Sequence, residues 1–225
     1  MTFDPAPLIL TFKLAAVTTL ILILIGIPLA YWVAFSQRKW KYLIEPLISM
    51  PLVLPPTVLG FYILLIFSPQ SFLGHFLDSV FHIRVVFTFL GLVVGSVLFS
   101  LPFMVNPLKA GLETFPQSLI EASYALGKSK METLLKVILP NIKPALVTGI
   151  VMAFAHTVGE FGVVLMVGGN IQGQTRVASI AIFGEVEALN YKTANFYSAI
   201  LFLIAFAILF TLNLVNRKAI KTSIL

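Results

Sequence analysis

Four stretches of the chain, 14–37, 46–77, 85–108 and 193–216, contain no Asp, Glu, Lys or Arg. Each exceeds the roughly 20 residues that carry an α-helix through a bilayer core of about 30 Å. A fifth stretch, 144–167, is interrupted only by His156 and Glu160. Water-soluble domains average about 25% charged residues, against 11% here, so a soluble fold is excluded first. The simplest reading is an all-α polytopic membrane protein with five transmembrane helices. Its spans fall near 14–36, 44–67, 86–108, 144–167 and 193–215, and 1–225 form one transmembrane domain.

Lysine and arginine placement orients the spans, because short cytoplasmic connections are enriched in both. One side holds Arg38, Lys39, Lys41, Lys109, Lys128, Lys130, Lys136, Lys143, Arg217, Lys218 and Lys221, and the other holds Lys13, Arg84, Arg176 and Lys192. Eleven against four puts the N-terminus outside and the C-terminus in the cytoplasm. A cleaved signal peptide is not expected, since Asp4 precedes the first apolar core and the positive cluster follows it. The cations are scattered rather than gathered into a stripe, which argues against nucleic acid as a partner. No cysteine is present, and His75, His82 and His156 lack ligand spacing, so neither a metal nor another cofactor is expected.

Within the second stretch, Pro51, Pro55 and Pro56 remove backbone donors, and Ser68-Pro69 ends the run. The first third of that span should be kinked or irregular, which a membrane interior tolerates only against protein or water. Only two connections have any length, a cytoplasmic one over 108–143 and an external one over 168–192. Neither can hold a separate domain.

The cytoplasmic connection is the most informative. In TFPQSLIEASYALGKSKMETLLKVILPNIKP, residues 114–144, Pro116 suits a first helical turn and Gly127 sits where a helix should end in a left-handed residue. Ser129 and Glu132 form an S-x-x-E capping box ahead of Met131, Leu134, Leu135 and Ile138, and Pro140 ends the pattern. Two short helices follow, too brief to span and too apolar for water. They either lie on the membrane surface or press into a partner. Glu121 and Glu132 among the lysines favour the partner, since a lipid-binding helix would be basic on its polar face.

Glu121-Ala122-Ser123, then Gly127, then Leu139-Pro140 resembles the EAA loop of ABC importer permeases, whose pattern is E-A-A, three residues, Gly, nine residues, Ile, one residue, Leu-Pro. Ser123 stands for the second Ala and Val137 for Ile. The resemblance implies that the first short helix docks into a groove on a separate cytoplasmic ATP-binding subunit, with Glu121, Ala122, Ser123, Leu126 and Gly127 as its docking residues. The same segment satisfies a permissive phosphate-loop search, Ala122, four residues, then Gly127-Lys128-Ser129. That match is rejected, because a phosphate loop needs a preceding strand and flexible glycines, whereas Tyr124 and Leu126 fill this one.

Two further segments, MPLVLPPTVLG at 50–60 and TVGEFG at 157–162, resemble the molybdate permease branch, close to the sulfate and tungstate permeases. There a double proline opens the second helix and G-E-F-G closes the fourth. The resemblance covers nearly the whole chain. It implies a multi-pass protein of the bacterial plasma (inner) membrane, paired with a second copy of itself, served by two ATP-binding subunits and an extracytoplasmic molybdate-binding protein. The chain itself would catalyse nothing and would pass the oxyanion through by alternating access.

Pro55, Pro56, Thr57, His156 and Glu160 are the pathway or gate residues on this reading. Acidic residues inside spans are costly and mark function. At 1.5 Å per residue from Pro144, Glu160 lies about 24 Å along a core of about 30 Å. His156, four residues earlier, shares its face, so a hydrogen-bonded pair is feasible. A carboxylate repels an oxyanion, which makes Glu160 a structural pairing residue, at the dimer interface or near the external gate, rather than a ligand. Thr57, Ser96, Ser100, Thr148 and Thr157 are possible donors to the anion or packing residues between helices. Arg176 is either an external contact or an ordinary surface cation. The rival functions are a secondary transporter or channel, an intramembrane enzyme and an assembly factor. The loop argues against the first, and the second has only His156 and Glu160 to offer.

Overall fold

The structure, a computed structural model, describes residues 4–222, with side chains through 214. Arg217, Lys218 and Lys221, counted above on the cytoplasmic side, lie beyond the described side chains. All regular structure among the described residues is helical.

Helix α1 spans Ala6–Phe35 and has proline in its first turn, where a missing N–H costs nothing. The Asp4 carboxylate accepts from the Ala6 N–H at 2.9 Å, placing negative charge at the positive end of the helix dipole. The helix starts at Ala6 rather than near 14, because Lys13 is accommodated inside it, with its ammonium 4.8 Å from the centroid of the Phe89 ring.

The second uncharged stretch is broken where the prolines are. Helix α2 (Lys41–Ser49) and a 3₁₀ turn at Met50–Leu52 precede helix α3 (Pro56–Phe67). The two arms meet at 112°, far more than a kink, since the prolines supply no amide hydrogens to continue the ladder. Two short helices that no charge boundary announces are also present, α4 (Phe72–Phe81) and α11 (Ala178–Glu187) on the loops between spans. Helix α5 (Phe89–Glu113) is long and apolar enough to cross and stays one helix despite Pro102 and Pro107.

The loop holds α6 (Gln117–Ala125), α7 (Lys130–Thr133), a π turn at Leu134–Ile138 and α8 (Leu139–Asn141). The wide turn falls just before Pro140, whose ring would crowd the carbonyl four residues back in a regular helix. Helix α9 (Lys143–Gly159) leaves the loop at 84° and stops at Glu160; α10 (Gly162–Gly168) resumes the span. Helix α12 (Tyr191–Thr222) completes the chain. Among the described residues three helices, α1, α5 and α12, are long and apolar enough to cross a membrane, and each bent pair adds one more candidate, up to five.

Lipid is as apolar as leucine, so close approach rather than apolar burial holds such helices together. Helix α5 presents a G-x-x-x-G step, Gly91 and Gly95, to α10; a Cβ on Gly95 would lie 2.7 Å from Val163 Cγ1 and one on Gly91 3.0 Å from Val167 Cγ1. From the other side, a Cβ on Gly60 of α3 would meet Met166 Cβ at 2.7 Å. The half-helix α10 is thereby wedged between α3 and α5. Helix α1 packs along α5 and α9, with Gly26 facing Met104.

One apolar core runs from the spans into the loop. Leu22, Ala30 and Val33 of α1 and Met104, Leu108 and Leu112 of α5 are continuous with Ile120, Leu134, Ile138 and Ile142. At the same end Lys109 is ion-paired with Glu45 and lies 3.6 Å from Glu113. These contacts join the loop to the spans.

Candidate functional site

Two places carry the residues singled out from the sequence. The first is the loop. Helix α6 turns Ile120 and Ser123 inward and leaves Glu121, Ala122, Tyr124 and Leu126 exposed, Leu126 at 79%. Gly127 closes it in the left-handed region with φ 74°. Its N–H donates to Tyr124 O at 2.9 Å and the Lys128 N–H to Ser123 O at 3.2 Å, the paired bonds of a Schellman end. A Cβ at 127 would touch nothing within 4 Å, so the glycine serves backbone conformation and not packing.

The capping box forms as its spacing requires: the Glu132 N–H donates to Ser129 Oγ at 3.2 Å and the Ser129 N–H to Glu132 Oε2 at 3.3 Å. Lys136 adds a 3.1 Å ion pair to Glu132 and, with the Ser129 N–H, draws that carboxyl below the usual carboxylate range. Ser123, where the EAA pattern has alanine, makes a buried 2.9 Å hydrogen bond with Thr133. That bond clasps α6 to α7, a role the pattern alone does not suggest. Residues 122–125 are helical, and no strand precedes them among the described residues, so the phosphate-loop match has no structural support.

The second place is a cleft of about 630 Å³ between the two interrupted helices. Pro56, Thr57, Phe99, His156, Glu160 and Gly162 are among its lining residues. Four of the five pathway residues expected from the sequence therefore meet; Pro55 stands just outside, where its carbonyl accepts from the Val58 N–H at 2.9 Å at the start of α3. Gly162 explains why the double proline and G-E-F-G occur together. A Cβ there would lie 2.6 Å from Pro56 Cβ and 3.5 Å from Thr57 N.

His156 and Glu160 do not bond to each other, which corrects the expectation from their spacing. Helix α9 ends at Gly159 and Glu160 is extended, with φ −70° and ψ 139°, so the four-residue register no longer holds. Glu160, 5% exposed, instead takes a 3.0 Å hydrogen bond from Ser96 Oγ, and its carbonyl takes one of 2.6 Å from Ser179 Oγ. The other carboxyl oxygen has no partner among the described residues. His156 pairs through Nδ1 with Ser100 Oγ at 3.0 Å and stacks on Phe103, ring centroids 3.9 Å apart.

The intramembrane hydroxyls are largely spent on helix contacts. Ser96 and Ser100 serve Glu160 and His156, while Thr157 bonds Ser100 at 3.0 Å and the Ala153 carbonyl at 2.9 Å. Thr148 is also engaged. Thr57 is exposed on the cleft. Arg176 is ion-paired with Glu185 at 3.3 Å. Among the described residues no group of three or more metal-ligating side chains forms.

Residues 13–219 match the model of the binding-protein-dependent transport system inner membrane component. The chain belongs to that family. It is a permease component of an ABC importer in the inner membrane, crossing it several times. The permease is 41% identical over 209 residues to the molybdenum transport system permease protein ModB of Azotobacter vinelandii, covering 93% of this chain and 92% of that one. It is 32% identical to the probable sulfate transport system permease protein cysT of Nephroselmis olivacea, over 92% of this chain and 74% of that one. Its fold matches that of the MetNI methionine ABC transporter, solved in inward-facing conformations, with a TM-score of 0.71, 18% identity and coverage of 95% and 94%.

Proposed function

We propose that the permease imports molybdate, as a homodimer whose two loops engage two cytoplasmic ATP-binding subunits and whose outer face receives an extracytoplasmic molybdate-binding protein. The observation that supports molybdate is the 41% identity to the molybdenum permease over almost the full length of both chains. Sulfate relatives are near 32% and longer, which makes sulfate the second reading, with tungstate beside molybdate as a close chemical analogue.

On this proposal the N-terminus is outside, and α6 is the element gripped by the ATPase through Glu121, Ala122, Leu126 and the turn at Gly127, while Ser123 holds it to α7. ATP-driven approach of the two ATPases draws the loops together. The shared apolar core passes that movement to α1 and α5, and the spans rock between inward-open and outward-open states. Pro55, Pro56, Thr57, His156 and Glu160 stand where two broken helices meet, the arrangement that lines pathways in transporters. The chain binds and moves; hydrolysis belongs to the partner.

The test is ATP-dependent uptake into vesicles holding the permease, its ATPase and its binding protein. Wild type should accumulate molybdate in preference to sulfate, and Gly127→Asp or Glu121→Lys should abolish uptake. Uptake untouched by both changes would reject the docking assignment, and preferential sulfate uptake would reject the cargo.

A further inference from the structure

Glu160 is held in a way that a plain packing residue is not. Helix α9 ends one residue before it and α10 begins two residues after it, and its own N–H reaches Thr157 O at only 3.4 Å. The backbone ladder is therefore nearly interrupted at this point. Element ends of this kind absorb changes in φ and ψ when transporters move. Gly159 beside it has open space around its Cβ position, whereas α10 just beyond is wedged between α3 and α5.

Two serines hold Glu160 at the break. Ser179 Oγ, on the external helix α11, donates to the Glu160 carbonyl at 2.6 Å. Ser96 Oγ, on α5, donates to Glu160 Oε2 at 3.0 Å. Helix α11 packs against α12 and α1. A continuous set of bonds thus leads from the external segment to the cleft wall at Glu160 and on to Ser96 in the N-terminal third of α5. Oε1 is buried with no close hydrogen-bond partner among the described residues.

We propose that Glu160 is a positioning residue for transport, linking the outer face to the pathway through Ser179 and Ser96, so that the state of α11 and the shape of the cleft change together. The inference rests on the permease reading above. It assigns Glu160 no contact with the anion.

The experiment measures ATP hydrolysed per oxyanion imported in the reconstituted full complex, after assembly is checked by size exclusion. Ser96→Ala, Ser179→Ala and Glu160→Ala should each raise that ratio, by roughly tenfold for loss of one hydrogen bond shielded from water. Glu160→Gln keeps an acceptor oxygen for Ser96 and should restore most of what Glu160→Ala loses. A merely structural role predicts that hydrolysis and uptake fall together at a constant ratio, and that result overturns the proposal. Glu160→Gln as poor as Glu160→Ala also overturns it. Should Ser96→Ala fail to assemble, Ser179→Ala and the two Glu160 variants carry the same comparison. Wild type that imports no oxyanion under ATP would instead sink the permease reading, which separates the two failures.

Discussion

Gly162 lies against Pro56 so closely that a Cβ on it would sit 2.6 Å from the Cβ of that proline. The contact joins the start of α10 to the start of α3, the two restarted halves of the broken spans, and it fixes one wall of the cleft. Gly159, three residues earlier, has nothing within 4 Å of its Cβ position.

The two glycines therefore predict opposite results. Gly162→Ala overpacks a rigid ring and should destabilise by about 1–3 kcal/mol, read as an earlier thermal transition of the detergent-solubilised permease. Gly159→Ala should leave that transition within experimental error. Equal shifts for both would remove the close contact from the account.

Ser123 and Thr133 give a second comparison. Ser123→Ala strands the buried Thr133 hydroxyl and should cost about 1–3 kcal/mol, whereas Ser123→Ala with Thr133→Val removes both polar groups and should recover most of it. A thermal-shift double-mutant cycle checks this. Additive losses would show that the two hydroxyls do not hold each other.

The loop should also respond to acid in a definite direction. Lys136 and the Ser129 N–H hold the Glu132 carboxyl below its ordinary range, so the folded loop binds this proton less readily than the unfolded chain does. The stabilisation is present above the ordinary carboxylate range and is lost as pH falls through the lowered folded value. Amide exchange at Glu132 and Thr133 should accelerate in that acid window, beyond the intrinsic pH effect, and Glu132→Gln should abolish the excess. An identical profile in Glu132→Gln would contradict the assignment.

What could be read from the chain alone divides by distance along it. The ends of α6 and α7 were legible because caps are local chemistry: Gly127 and the Ser129 and Glu132 pair lie within a few residues of what they close. The spans showed themselves through uncharged length. The 112° turn at Pro51, Pro55 and Pro56 was announced as irregularity, but its angle depends on α10 packing against α3 from more than a hundred residues away. Helices α4 and α11 are not legible from charge spacing, because short helices in connections leave no long uncharged run of their own. The Glu160 partners were the hardest. Ser96 is recognisable as an intramembrane hydroxyl, yet no local signal ties it to a carboxyl across 64 residues, and the helical register that points to His156 fails once the helix ends at Gly159.

The central claim, that the loop faces the cytosol and is gripped there by an ATPase subunit, can be measured directly because the natural chain has no cysteine. Leu126→Cys places a single thiol at the most exposed apolar position of the EAA segment, to be labelled with a membrane-impermeant maleimide. The account predicts labelling in inverted vesicles, none in right-side-out vesicles, and protection in inverted vesicles when the ATPase subunit is added. Labelling from the outside, or labelling that the ATPase leaves unchanged, would contradict it.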